Sequence, residues 1–313
     1  MKILQLKDIL SYYQPMQVFY SDPYNINLPD NHRFPMKKYA MLRHYLLEHN
    51  ILRPEELNLS PLCSIEDLLY AHDASYIMEI KTGNVNQDNF KRIGFPWSPE
   101  LFIRSSASVG GAKMSALSAL TNKISGNLSG GTHHAHRDRG EGFCVFNDVA
   151  VVSNYLLQNN LVQKIAIVDL DVHQGNGNSS ILGNNPNIFI LSLHGEKNYP
   201  YIKVPSTLDI ALPDHTEDAE YLAALASALE SVIAFKPDFI FYQMGVDGLK
   251  EDKLGKLNLS FEGLMKRDRM VLSLAFENQI PITLNLGGGY ADPIELTVEA
   301  YANTYRVAKA IFN

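Results

Sequence analysis

Acidic residues and histidines follow two short apolar runs of this chain. The run 165–168 is followed by Asp169, Asp171 and His173, and the run 239–246 is followed by Asp247. Alternate side chains of an extended chain point to the same side, which predicts that the two aspartates and the histidine of the first group lie together. Carboxylates and imidazole suit zinc or another divalent first-row metal. Two carboxylates and one histidine would also leave positions open for water and substrate, as catalytic metal sites require.

A pair of adjacent histidines follows two glycines, in the segment Gly130-Gly131-Thr132-His133-His134. The glycines allow a sharp turn, so both imidazoles could face one pocket from a loop. Because imidazole titrates near neutral pH, one ring could serve as a general base and the other as its electrostatic partner. An isolated pair could equally lie on the surface, but the neighbouring motifs favour a site.

Tyr290, Phe143 and Cys144 each allow two interpretations. Tyr290 follows three glycines and could be an exposed residue of a flexible loop, or a phenol that donates to developing oxyanion charge. The metal-binding pattern favours the second. Phe143 could line a substrate tunnel or fill the core. Cys144 could be a nucleophile beside a histidine, which we consider the weaker hypothesis because a metal site would already supply nucleophilic water.

The runs that precede these motifs are typical of buried strands. They are continuous and rich in β-branched residues, a pattern found in strands covered on both faces. Strands alternate with helices through the second half of the chain, which predicts crossover units and an α/β fold with a mostly parallel sheet and helices on both faces. Ligands of such sheets bind at the carboxyl ends of the strands. The carboxylates, histidines and tyrosine are therefore expected at one edge.

Length and composition set the outer bounds. The 313 residues contain no low-complexity linker or repeat, so we predict one domain over residues 1–313. A net charge of −7 disfavours a general nucleic-acid binder and is weakly compatible with basic protein substrates. No apolar run is long enough to span a membrane, and residues 1–8 do not resemble a secretory signal. We therefore expect a cytoplasmic protein, with leaderless export left open.

Several motifs together resemble the zinc-dependent histone deacetylase family. The similarity is strongest in Gly130-Gly131-Thr132-His133-His134-Ala135, Arg139-Gly140-Glu141-Gly142-Phe143-Cys144-Val145-Phe146-Asn147-Asp148, Asp169-Leu170-Asp171-Val172-His173 and Leu286-Gly287-Gly288-Gly289-Tyr290. It extends from residues 20–22 and 32–35 to the last helix. The resemblance implies the arginase-like α/β fold. Gln174, directly after the ligand histidine, makes the chain most similar to class IV and its bacterial relatives.

The resemblance also implies a role for each matching residue. Zinc would be held by Asp171, His173 and Asp247. His134 would be the general base and later the acid, His133 would be oriented by Asp169, and Tyr290 would donate to the oxyanion. Gly142 and Phe143 would line the acyl-lysine channel. A structural potassium ion would contact backbone oxygens of Asp169, Asp171 and His173, completed by Ser192 and Leu193.

One position departs from the class I pattern. Where those enzymes have an aspartate against the second histidine, this chain has Asn176, an asparagine shared with classes II and IV. A neutral amide can orient the ring but stabilises an imidazolium less than an anion does. We therefore expect His134 to be less basic than its class I counterpart.

The sequence thus predicts a zinc-dependent amidohydrolase that removes acetyl or longer acyl groups from the ε-amine of lysine in proteins or peptides. Two alternatives stay open. The same apparatus could deacetylate a small amide such as an acetylated polyamine, or the protein could be a non-catalytic module that binds acyl-lysine. A guanidine hydrolase of the same fold is a weaker hypothesis, because it would need further carboxylates for a second metal. No direct nucleic-acid partner is expected.

Overall fold

The computed structural model describes residues 15–29, 32–84 and 87–312. Residues 1–8, on which the prediction about a secretory signal rests, lie outside these ranges. The strands are β1 Gln17–Tyr20, β2 Leu57–Leu59, β3 Ile124–Asn127, β4 Ile165–Asp169, β5 Ile188–Gly195, β6 Leu208–Leu212, β7 Phe239–Gln243 and β8 Ile282–Asn285. The helices are α1 Lys38–Glu48, α2 Ile65–Leu68, α3 Ala74–Thr82, α4 Gln87–Ile93, α5 Pro99–Asn122, α6 Asp148–Gln158, α7 Asn176–Leu182, α8 Asp218–Ala234, α9 Phe261–Glu277 and α10 Glu295–Phe312.

The eight described strands form one sheet in the order β2-β1-β3-β8-β7-β4-β5-β6. Every neighbouring pair is parallel, which confirms the predicted α/β class. All residues of β4 and β7 are buried, so both faces of the central strands are covered. Parallel strands with both faces covered need apolar side chains on each face, which explains their unbroken apolar sequences.

The four strands that precede the functional motifs are direct neighbours in this sheet. Their final residues pair in register, Asn127 with Asn285, Asn285 with Gln243, and Gln243 with Asp169. The loops that follow therefore leave the sheet from one edge, as predicted for a ligand site.

The expected alternation beyond β4 is wrong. The strand ends at Asp169, so Asp171 and His173 lie in a loop rather than on one side of an extended chain. Asp169 instead accepts a hydrogen bond from His133.

A buried ion pair connects the sheet to two helices. Arg267 Nη2 lies 2.8 Å from the Asp268 carboxylate in α9, and both side chains are buried. The same carboxylate accepts hydrogen bonds from Tyr242 of β7 at 2.5 Å and from Thr304 of α10 at 2.6 Å. Arg267 also donates to the backbone oxygen of Gly245 at 2.5 Å.

None of the helices in the described ranges is long and apolar enough to cross a bilayer.

Candidate metal centre and active site

Three side chains from two loops form a compact set of ligands. Asp171 and His173 follow β4, Asp247 follows β7, and one ligand atom from each lies within 4.8 Å of the others. His173 Nδ1 is 3.0 Å from Asp171 Oδ1 and 2.9 Å from Asp247 Oδ2. Two carboxylate oxygens and one imidazole nitrogen are a donor set that suits a divalent first-row cation.

Backbone groups orient both carboxylates. The amide of Gly288 donates to Asp171 Oδ2 at 2.5 Å, and the amide of Val172 donates to Asp247 Oδ1 at 2.9 Å. A Cβ atom at Gly288 would lie 1.7 Å from Asp247 Oδ2, so only glycine allows the backbone to approach this closely. The second glycine of the triplet is thus needed for the shape of the ligand set.

The charges of the set also fit a cation. Burial and the negative charge of Asp171 raise the pKa of Asp247 to about 7. Burial lowers the pKa of His173, but the charges of Asp247 and Asp171 outweigh it and raise the pKa to about 10. A divalent cation held by this set would relieve the repulsion between the two carboxylates that raises the pKa of Asp247.

The two adjacent histidines lie in a loop and face the same site, as predicted. Their ring centroids are 4.1 Å apart. His133 Nδ1 donates to Asp169 Oδ2 at 2.8 Å, and His134 Nδ1 donates to Asn176 Oδ1 at 2.7 Å. The turn needs Gly131, which has φ +71° and whose Cβ would lie 1.8 Å from the Leu286 oxygen.

The surroundings give the two rings opposite protonation tendencies. Burial opposes charge on both. At His133 the carboxylates of Asp169 and Asp171 outweigh burial and raise the pKa to about 9. At His134, burial and then the positive charges of His133 and His173 hold the pKa well below its usual range. These surroundings favour an imidazolium at His133 and a neutral imidazole at His134, and a neutral imidazole can accept a proton.

Behind the second histidine, Asn176 belongs to a polar cluster whose other members were assigned no role from sequence. Asn176 Nδ2 donates to Glu141 Oε1 at 2.6 Å and lies 3.2 Å from His136 Nε2. Burial alone would raise the pKa of Glu141, but hydrogen bonds from His136, Asn176 and Tyr199 outweigh it and lower the pKa to about 2. The neutral amide that contacts His134 is thus itself bound to an anion.

Tyr290 is positioned by contacts to its backbone and its ring. Its amide donates to Asp252 Oδ2 at 2.6 Å. The ammonium of Lys38, which is 2% exposed, lies 4.9 Å from the ring centre and donates to the backbone oxygen of Gly289 at 3.2 Å. Burial raises the pKa of the Tyr290 phenol well above its usual value, so the phenol keeps the proton that a hydrogen-bond donor needs.

A cavity of about 410 Å³ leads from the surface to these groups. Its lining includes His134, His173, Tyr290, Gly142 and Phe143. A Cβ at Gly142 would lie 2.7 Å from His134 Cδ2, so glycine keeps the wall beside the histidine thin. The Phe143 ring packs against other aromatic rings and also lines the cavity, so it belongs both to the core and to the cavity wall, and its contact with substrate stays a prediction.

The remaining predicted residues lie nearby. Ser192 pairs with Asp169 across β4 and β5, and Leu193 follows it. Cys144 is buried, and burial raises the pKa of its thiol, which disfavours the nucleophile hypothesis. His136 and Tyr199 join the polar cluster behind His134, and neither belongs to a pattern in the sequence that indicates a role. No spacing signal could have identified either residue, because both join the site through tertiary contacts.

Comparison with known proteins defines the family. Residues 32–305 match the model of the histone deacetylase domain, and the chain belongs to the histone deacetylase family. It is 38% identical to an uncharacterized protein of Picosynechococcus sp., over 94% of this chain and 99% of that one. It is 29% identical to histone deacetylase 2 of Arabidopsis thaliana, over 88% and 74%. The structure resembles the crystal structure of a histone deacetylase homolog from Aquifex aeolicus with a TM-score of 0.81 and 25% identity, covering 95% and 84%.

Proposed function

We propose that the protein is a zinc-dependent amidohydrolase that removes acyl groups from the ε-amine of lysine in proteins or peptides. The observation that carries this proposal is the meeting of three kinds of group in one cavity. These groups are the Asp171–His173–Asp247 ligand set, which reaches the cavity through His173, together with a neutral His134 and a protonated Tyr290. Amide hydrolysis needs a polarised carbonyl, a base for water and a donor to the developing oxyanion.

Each side chain at the site has its own role in the proposed hydrolysis. Zinc, held by the ligand set, would supply Lewis acidity and lower the pKa of water. His134 Nε2 accepts the proton of the attacking water and returns it to the leaving amine, while Nδ1 stays bonded to Asn176. The imidazolium of His133, fixed by Asp169, stabilises negative charge. The hydroxyl of Tyr290 donates to the former carbonyl oxygen.

We propose that the substrate enters the cavity end-on. Gly142 and Phe143 form part of its wall, and Tyr290 lies on the same lining. An acyl-lysine has four methylene groups that can pass between an aromatic ring and a glycine backbone while the amide reaches the base of the cavity. Burial of these methylenes contributes roughly 0.8 kcal/mol each.

We also propose the structural potassium site. The pairing of Asp169 with Ser192 brings the ends of β4 and β5 together, beside the loop that carries Asp171 and His173. Backbone and hydroxyl oxygens from these residues and Leu193 would offer the oxygen-rich surroundings that a monovalent cation needs.

A panel of substrates tests the proposed activity. Acyl-lysine peptides from acetyl to myristoyl, and an N-acetylated polyamine, are incubated with the protein in the presence of zinc or of a chelator. We expect turnover of at least one acyl-lysine peptide, with kcat/KM about tenfold or more above that of the polyamine, and loss of turnover with chelator. Hydrolysis of the polyamine alone would replace the proposal with the small-amide alternative. Peptide binding without turnover would indicate a binding module.

A further inference from the structure

The mouth of the cavity is strongly basic. Its lining contains five lysine or arginine residues and no aspartate or glutamate: Arg33, Lys91, Arg92, Lys197 and Lys256. All five are exposed. The chain as a whole carries a net charge of −7, so the charge at this opening is opposite in sign to that of the whole molecule.

Few carboxylates neutralise these cations. Lys91 lies 3.3 Å from Asp88, and Lys197 lies 3.7 Å from Asp214. In the described ranges, Arg33, Arg92 and Lys256 have no carboxylate within 4.0 Å. Exposed ion pairs of this kind are weak and exchange readily with other partners. The opening therefore presents a positive field to an approaching substrate, and a cleft lined by one sign of charge concentrates ligands of the opposite sign.

The position of the cations identifies the part of the substrate they would contact. The groups at the base of the cavity, such as His134, are buried, whereas the five cations surround its exposed end. An acyl group at the base would not reach them. They face the residues that stay outside when a lysine side chain is inserted. On the same rim, Tyr201 is 87% exposed and lines the cavity, and its neighbour Ile202 is 86% exposed.

We propose that this enzyme selects acyl-lysines that are flanked by acidic residues in a peptide or protein. The inference rests on the proposed deacylase function and narrows its substrate class. It disfavours acetylated polyamines, whose remaining amines are positively charged, and lysine-rich segments, because like charges at the rim repel. It also reverses the weak expectation of basic substrates drawn from net charge.

Three matched acyl-lysine peptides test the selection. They share one acyl group and differ only in the two residues on each side, which are Glu, Gln or Lys. We expect kcat/KM to fall in that order, with about a tenfold difference between the acidic and basic peptides at low salt. The difference should diminish as salt shortens the screening length from roughly 10 Å at 0.1 M to about 3 Å at 1 M.

Charge reversal identifies the residues responsible. In the double variant Arg92→Glu/Lys256→Glu, we expect the ratio of acidic to basic peptide to fall at least tenfold. The matched control, Lys123→Glu/Lys236→Glu, changes the same charge at two exposed positions that precede β3 and β7 and so lie at the opposite edge of the sheet. It should keep the wild-type ratio. Equal ratios in the two double variants would overturn the proposal.

A binding measurement separates this inference from the proposed activity. Fluorescence anisotropy of the same peptides, labelled, with the full-length His134→Ala variant reports selection without turnover. Tighter binding of the acidic peptide supports the inference even if no peptide is hydrolysed, a result that would reject only the deacylase function. Turnover with no preference, or a preference for the basic peptide, rejects only the inference. A short single-stranded DNA and the unlabelled acidic peptide are each tested as competitors of the labelled acidic peptide. If the DNA displaces it at a lower concentration, the proposal is overturned and the rim is assigned to nucleic acid.

Discussion

The adjacent side chains of His133 and His134 have different hydrogen-bond partners, which give them different protonation tendencies. The Nδ1 of His133 contacts a carboxylate, and the Nδ1 of His134 contacts an amide. The first ring is thereby held charged and the second neutral. A base that accepts a proton must be neutral beforehand, so His134 is suited to the proton transfer and His133 to charge stabilisation.

Removing either proposed reacting side chain should reduce turnover without unfolding the protein. We expect His134→Ala to lower kcat by about 10²–10⁴-fold and Tyr290→Phe by about 10²–10³-fold. His44→Ala, at an exposed position of α1, is the control and should stay within about twofold of wild type. Steady-state kinetics on an acyl-lysine peptide measures the effect, and circular dichroism checks the fold. Near-normal kcat in either of the first two variants would refute that residue's role.

Glu141 should matter for both stability and the pH range of the fold. Its pKa is lowered to about 2 in the folded protein, so its network stabilises the fold above the unfolded pKa of about 4.3. As pH falls from there towards 2, the unfolded state takes up the proton first and this contribution is lost. We expect Glu141→Gln to destabilise the protein by roughly 1–2 kcal/mol at pH 7, allowing for partial exposure, and by less at pH 3.5.

Urea unfolding at several pH values measures this difference. Asp138→Asn, at an exposed carboxylate three residues earlier, is the control and should show no such pH dependence. A destabilisation by Glu141→Gln that stays constant from pH 7 to 3.5 would contradict the assigned pKa.

The sequence could indicate which residues meet at the candidate site because their motifs are contiguous and specific, and the roles assigned to these residues stay predictions. It could not indicate the support of His134. Glu141 lies 35 residues before Asn176 in the chain and is hydrogen-bonded to it, and no local pattern encodes such a contact. The sequence indicated a neutral amide, Asn176, as the partner of His134. The structure adds an anion, because Glu141 lies directly behind that amide. The comparison with class I basicity stays a prediction.

The site depends on strands that end in register and on loops that are held in place by residues outside them. Gln174 fixes one such loop, since its amide donates to Val204 O at 2.9 Å and to Asp209 at 2.8 Å. That loop carries Tyr199 and Tyr201 to the cavity. The residue that indicated class IV in the sequence therefore anchors one wall of the mouth. The assignment to that class stays a prediction.

The first residue of α1 fixes a second loop. The buried Lys38 ammonium donates to the carbonyls of Gly287 and Gly289, which lie beside Tyr290. We expect Lys38→Met to reduce stability by about 1–3 kcal/mol, because buried carbonyls lose their donor, and to lower kcat through displacement of the tyrosine. The adjacent exposed Lys37→Met is the matched control. Urea unfolding and kcat that are the same for both variants would exclude this role.

The strands were predictable because burial on both faces demands unbroken apolar runs, as in β4 and β7. The predicted alternation of side chains after Asp169 was wrong for a related physical reason. Buried alternation holds only while the chain stays paired in the sheet, and pairing stops where the functional loop begins. The position of that last paired residue depends on the neighbouring strand, which the local sequence does not contain.

A buried ion pair and its hydrogen bonds connect parts of the fold that are distant in sequence. Asp268→Asn should destabilise the protein by about 3–5 kcal/mol, because it leaves the buried Arg267 without its partner. Glu262→Gln on the same helix removes the partner of exposed Lys266 and should cause no measurable change. The free energy of unfolding in urea measures both. A small effect of Asp268→Asn would show that Arg267 finds sufficient partners in backbone carbonyls.

Net charge averages over the whole surface and therefore does not indicate the charge at the mouth of the cavity. The five cations at the mouth come from four separate segments of the chain, between Arg33 and Lys256, and these segments meet only in the folded protein. Sequence alone could therefore indicate which groups meet at the base of the cavity, because short motifs contain them, but not the charge of its opening. The prediction of one domain over residues 1–313 stays a prediction.

In the proposed mechanism, one cation held by Asp171, His173 and Asp247 enables hydrolysis of acyl-lysine. Its most direct test is the turnover of the preferred acyl-lysine peptide by protein stripped with a chelator and then titrated with zinc. We predict no turnover by the stripped protein and a return of activity that saturates at one zinc per chain. Undiminished turnover by protein shown by mass spectrometry to lack bound metal would contradict the account.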